Sequence, residues 1–192
     1  MLVPRRSLFV LPLAFLSACE TNDAGYFPAT ELSDDNGYYR RWFSRHFLTM
    51  NEPVLYRQIN VDYSVRLTRL TDEVDAFSLR IDRLNNSEIF ASYKRFNYVR
   101  AGELNPRPAA VLARKLAPAE FSRLTEEVSR QEFFALPEQT EFNEANIVWL
   151  LEAYDGAKFH PVATPAMQRS RPFGAIAAVA GEVTQIRDAT GG

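Results

Sequence analysis

The sequence predicts an α+β fold: a mainly antiparallel sheet of five or six strands, two helices packed on one face, and an additional N-terminal amphipathic helix. Two observations carry this. Apolar residues alternate with polar ones at a period of two over much of residues 55–100 and on both sides of Asp155-Gly156, and segments of helical period precede, interrupt and follow those runs. Composition agrees, because 46% of the 192 residues are hydrophobic, enough to bury one domain's core. The single cysteine allows no internal disulfide, so packing alone must hold the fold.

The elements follow in order. Residues 20–37 are rich in Asp, Glu, Asn, Thr and Gly and read as a flexible tether with a reach of roughly 20–25 Å. The globular domain is then residues 38–192. In residues 38–50, Tyr39, Trp42, Phe43, His46, Phe47 and Met50 recur at helical spacing opposite Arg40, Arg41, Ser44, Arg45 and Thr49. Asn51-Glu52-Pro53 ends this helix, since a proline pushes its predecessor out of the helical region. The aromatic face packs on the core in one reading. In the other it lies at a membrane interface, with Arg40, Arg41, Trp42 and Arg45 as contacts.

Tyr63, Val65 and Leu67, then Phe77, Leu79 and Ile81, each alternate with polar residues, giving two half-buried strands joined by a polar turn at 71–73. Arg66 and Asp82 are expected to pair on their solvent face. Residues 92–99 form a third strand and 110–116 a fourth. Pro118 suits the first turn of a helix over 118–130, with Phe121, Leu124, Thr125 and Val128 on its packed side. Residues 147–154 and 158–163 flank Asp155-Gly156, the strongest hairpin signal. A two-residue turn there sets Tyr154 opposite Ala157, Glu152 opposite Phe159 and His160 opposite Leu151. The alanine-rich segment 172–187 closes the domain as a helix, and 188–192 should fray.

Residues 1–18 have a different character. Arg5-Arg6 is followed by an apolar run from Leu8 to Leu16 that is too short to span a bilayer, then Leu16-Ser17-Ala18-Cys19. This resembles the signal and lipobox of bacterial lipoproteins. The resemblance implies a signal peptide over 1–18, lipidation of Cys19, and a periplasm-facing protein of the cell envelope. Glu20 follows the cysteine where aspartate would favour inner-membrane retention, so the outer membrane is the expected location. Residues 117–160 also resemble a pattern in small envelope lipoproteins: Phe133-Phe134-Ala135-Leu136-Pro137, Trp149-Leu150-Leu151-Glu152, Gly156 and Phe159-His160. That pattern names no activity, and Ala163-Thr164-Pro165 departs from its usual Arg-Trp-Ser-Pro continuation.

Charge and motifs narrow the function. The formal net charge is −2, and loss of Arg5 and Arg6 takes it to −4, which argues against nucleic acid. The sequence has no glycine-rich phosphate cradle, His-Glu-x-x-His helix or Gly-x-Ser-x-Gly elbow, and two histidines rule out a histidine-rich metal site. No cofactor or metal is therefore expected. Glu152 with His160 is the best catalytic candidate, but the hairpin register sends the two to opposite faces. His46 is a candidate pH sensor at a membrane surface, or a histidine covering the core. The leading expectation is a non-catalytic binding or adaptor module for a protein or cell-wall partner, with Tyr93, Lys94 and Arg95 as contacts beside Phe96, Tyr98 and Arg100. The alternative is a carrier or hydrolase whose pocket gathers carboxylates such as Glu103, Glu120 or Glu144.

Overall fold

The structure is a computed structural model that describes residues 25–28, 30–32, 38–71, 76–97, 107–138, 147–165 and 171–186. The signal, Cys19, the 72–73 turn, Tyr98, Arg100, Glu103, Glu144 and the C-terminal residues 188–192 lie outside the described residues.

Among the described residues, six antiparallel strands form one sheet in the order β4-β3-β2-β1-β5-β6. They are β1 (Val61–Thr71), β2 (Ala76–Leu84), β3 (Ile89–Phe96), β4 (Ala110–Lys115), β5 (Ile147–Tyr154) and β6 (Phe159–Pro165). Among the described residues, three α-helices complete the order: α1 (Tyr38–Thr49) before the sheet, α2 (Pro118–Arg130) between β4 and β5, and α3 (Arg171–Thr184) at the end. This is the α+β architecture read from the sequence. Among the described residues, no helix is long and apolar enough to cross a membrane.

Successive strand side chains point to opposite sides, and helices cover both faces of the sheet over β1, β2, β3 and β5. Val65, Leu67, Phe77, Leu79, Ile81, Tyr93, Trp149 and Leu151 meet Phe121, Leu124 and Val128 of α2 and Phe173, Ile176, Ala180 and Val183 of α3. On the other side Leu70, Ala76, Phe96, Val148, Leu150 and Ala163 meet Phe43, Phe47 and Met50 of α1. Burying each of those two phenylalanines contributes about 1.5–3 kcal/mol, which is what holds a 12-residue helix on the sheet. Tyr26, Phe27 and Leu32 join the same core, at 5%, 3% and 0% exposure. The expected tether is thus corrected over this stretch: polar composition concealed three apolar anchors, and Phe27 sits against Phe43, Phe47 and Phe159.

The helix ends follow local chemistry. Asn51 adopts φ 51°, Glu52 N–H donates to Phe47 O at 2.9 Å and Asn51 N–H to Leu48 O at 3.1 Å, a Schellman cap on α1. Pro118 opens α2, and the Glu120 carboxylate accepts from Ala117 N–H at 2.8 Å. Strand β3 starts at Ile89 and ends at Phe96, so it lies earlier than the expected 92–99.

The β5–β6 register also differs from expectation. Tyr154 pairs with Phe159, Glu152 with Pro161 and His160 with Ala153, because the loop spans four residues and not two. Asp155 is the cause: its carboxylate accepts from Ala157 and Lys158 N–H at 3.1 and 2.7 Å, while Gly156 takes φ +84° with only 3.1 Å between a would-be Cβ and Asp62 O. The shift is by two residues, so Glu152 and His160 still point to opposite faces.

Candidate functional site

The sheet face beneath α1 carries a row of polar residues set by register. Ser92, Arg80, Arg66, Glu152 and Pro161 are cross-strand neighbours in sequence across β3, β2, β1, β5 and β6. Arg66 and Glu152 are both 0% exposed, and Arg66 donates through Nε and Nη2 to the two Glu152 oxygens at 2.6 and 2.7 Å. Its Nη1 donates to Pro53 O at 2.8 Å, and its guanidinium lies 3.8 Å from the Phe47 ring centroid. All of this ties the sheet to α1 and to the segment that follows it.

Glu52 is the second anion of the cluster. It lies 3.0 Å from Lys94 and 3.7 Å from both Arg66 and Arg80, and so offsets the repulsion between two arginines on paired positions. Asp82 takes Arg80 at 2.7 Å and the Ser64 hydroxyl at 2.6 Å. Three cations thus face three anions, a balance that a buried cluster requires. Burial alone would lower the Arg66 pKa, but Glu152 and Glu52 outweigh it and hold the guanidinium above its ordinary value. Burial pushes Glu152 up while Arg66 pulls it down, and the bidentate geometry is that of a carboxylate and a guanidinium.

The expected surface pair of Arg66 with Asp82 is therefore corrected. Its premise was that alternating polar residues face water, whereas α1 covers that face: the charged residues and Ser64 bond with one another, and the Thr68 and Ser78 hydroxyls are buried without a hydrogen-bond partner. Among the described residues, the cluster is a clasp between layers.

The other sequence candidates are placed as follows. Tyr93 is 2% exposed in the core against Phe77, and Lys94 is held by Glu52 and by the Asn51 carbonyl at 2.9 Å, capping α1. Arg95 is half-buried on the next position. These three do not form an exposed contact patch, a correction that follows from alternation: Tyr93 and Phe96 belong to opposite cores. On α1, Phe43 and Phe47 face the sheet, Trp42 packs on the same core, Arg40 and Arg41 are half-buried, and Arg45 and Leu48 are exposed. The aromatic face is thus core. His46 is 1% exposed with Nδ1 2.9 Å from Trp42 O and its ring against Trp42, so it is not at a surface. Glu120 is consumed by the α2 cap and by Arg114.

Two features escaped sequence reading. Strand β4 has β3 as its one strand partner among the described residues, and although Arg114 bonds to Glu120 of α2, Val111 and Leu112 are 59% and 55% exposed. Leu116 N–H donates to Ile89 O, so by alternation the N–H groups of Val111, Ala113 and Lys115 point away from β3. The second feature is a meeting of Glu31, Glu138 and His160, the last on β6 at the opposite end of the strand order. Compared with known proteins, the chain matches no family model and no curated protein.

Proposed function

We propose that this chain is a lipid-anchored protein of the bacterial envelope, periplasm-facing and favouring the outer membrane, that binds an extended segment of a partner protein along β4. The observation that carries the reading is the outer β4 edge, unpaired among the described residues, with Val111 and Leu112 exposed on its two faces. An unpaired edge supplies main-chain donors and acceptors for strand addition, and apolar side chains on alternate sides supply contact area. A peptide satisfies that edge better than a glycan, because a peptide presents the same ladder. The buried ions beneath α1 are engaged with one another and with backbone carbonyls, which suits a scaffold more than a reacting centre.

The anchor is read from Leu16-Ser17-Ala18-Cys19. Six residue steps from Cys19 reach Gly25, a span of at most about 20 Å. The packed anchors at Tyr26 and Phe27 therefore keep the α1 layer near the bilayer. Contact of Arg41, Arg45 and Leu48 with anionic lipid is the accompanying reading, and Leu48 at 55% exposure supports it. Reversing Arg41 and Arg45 to Glu in a form lacking the lipid abolishes binding to anionic liposomes if this contact exists.

Strand addition is tested by in-cell photocrosslinking from position 112 of the tagged full-length protein, beside Ala113→Pro and Cys19→Ala forms. A proline at 113 removes an outward N–H and leaves the β3 ladder intact. The reading expects one recurring envelope protein, lost in both variants while Ala113→Pro remains folded. Equal capture by Ala113→Pro refutes edge pairing, and capture unchanged in Cys19→Ala refutes dependence on the anchor.

A further inference from the structure

We infer that Glu31, Glu138 and His160 form a site for one divalent transition-metal ion, with Zn²⁺ the natural probe. The three residues come from the packed N-terminal segment, the chain just after the 3₁₀ turn Phe133–Ala135, and β6. One donor atom from each lies within 4.8 Å of the others. A four-coordinate ion with ligands at about 2.1 Å needs donors about 3.4 Å apart, so modest side-chain rotation closes the site.

The imidazole is prepared for this role by its neighbours. His160 Nε2 lies 2.9 Å from Leu136 O and donates to it, which leaves the Nδ1 lone pair free. That atom faces Glu31 Oε2 at 3.9 Å. A ring nitrogen bound to a backbone carbonyl on one side and open toward carboxylates on the other is the usual support of a metal-bound histidine. Phe133 lies edge-on to the ring at 5.5 Å and helps fix its plane.

The carboxylates point the same way. Glu31 Oε2 is buried with no hydrogen-bond partner. Glu138 is fixed by Leu32 N–H, which donates to its Oε2 at 2.6 Å, and by Ala163 N–H, which donates to its backbone carbonyl at 2.7 Å. Glu31 and Glu138 thus bring two carboxyl groups side by side next to the open ring nitrogen. A divalent ion neutralises both, and a neutral imidazole with two carboxylates selects a transition metal over calcium or magnesium. Bound metal would fasten the 30–32 segment to the β6 edge. This inference stands apart from the β4 reading and does not depend on it.

The test uses untagged full-length protein in detergent, stripped with chelator and given Zn²⁺ alone, with zinc-edge X-ray absorption and a chelator-competition titration. The expected result is one zinc per chain in a nitrogen and oxygen shell containing one imidazole. His160→Gln and Glu138→Gln should each weaken binding at least about tenfold, and His46→Gln should leave it unchanged. If a substituted form fails to fold, the wild-type absorption spectrum still decides. A shell without imidazole, a shell with sulfur from Cys19, or unchanged affinity in a folded His160→Gln protein would overturn the site.

Discussion

Replacing Arg66 by Met should be among the most damaging single changes in this domain. It strands Glu152, which is 0% exposed and has both oxygens on Arg66 at 2.6 and 2.7 Å. Removing one partner of a buried ion pair costs about 3–5 kcal/mol, because the remaining charge must stay unpaired or take up a proton. Glu152→Gln should cost less, about 1.5–3 kcal/mol, since Arg66 keeps Pro53 O at 2.8 Å, Glu52 at 3.7 Å and the Phe47 ring. The double variant Arg66→Met with Glu152→Leu leaves no unpaired charge between these two positions. It should lie within about 2 kcal/mol of wild type. Urea unfolding at neutral pH measures all three. A loss below about 1 kcal/mol for Arg66→Met, or a double variant that costs the sum of the singles, would refute the clasp.

Two further outcomes follow from the same geometry. Lys94→Met removes the cation that meets Glu52 and the Asn51 carbonyl, and should cost about 1 kcal/mol, with faster amide exchange concentrated at residues 50–52. Tyr63 is held up to about 12, first by burial and then by Asp155, against an ordinary value of 10.0. A raised acid pKa means the folded state keeps a proton that the unfolded state has lost. Its contribution is full below pH about 10 and declines by roughly 2–3 kcal/mol as pH rises to about 12. Tyr63→Phe should remove that part of the alkaline slope in unfolding titrations, and an unchanged slope would exclude Tyr63 as its source.

Much of the fold was legible because hydrophobic period is a direct record of which face is buried. Pro118 and the spacing of Phe121, Leu124 and Val128 placed α2 at the bounds the structure has, and the runs around Val65 and Leu79 placed β1 and β2. What misled was the assumption that a polar face is a wet one. Ser64, Arg66 and Thr68 alternate as a solvent face would, yet all three are 0% exposed. Period reports polarity, and only the position of α1 reports water. The turn at Asp155 failed for a smaller reason: a dipeptide signal counts backbone residues, whereas the aspartate side chain chose a four-residue loop by accepting two N–H groups. Tyr26, Phe27 and Leu32 were hidden among polar neighbours, because three anchors without a period look like linker. The meeting of Glu31, Glu138 and His160 had no local signal, since its members lie on three separate segments.

The most direct test of the proposed role is the mass of the mature N-terminus. Full-length protein recovered from membranes of a bacterial host should yield a peptide that begins at Cys19 and carries acyl chains, and the Cys19→Ala form should leave the membrane fraction. An N-terminal peptide without lipid, or membrane recovery unchanged by Cys19→Ala, would contradict the anchor on which the function rests.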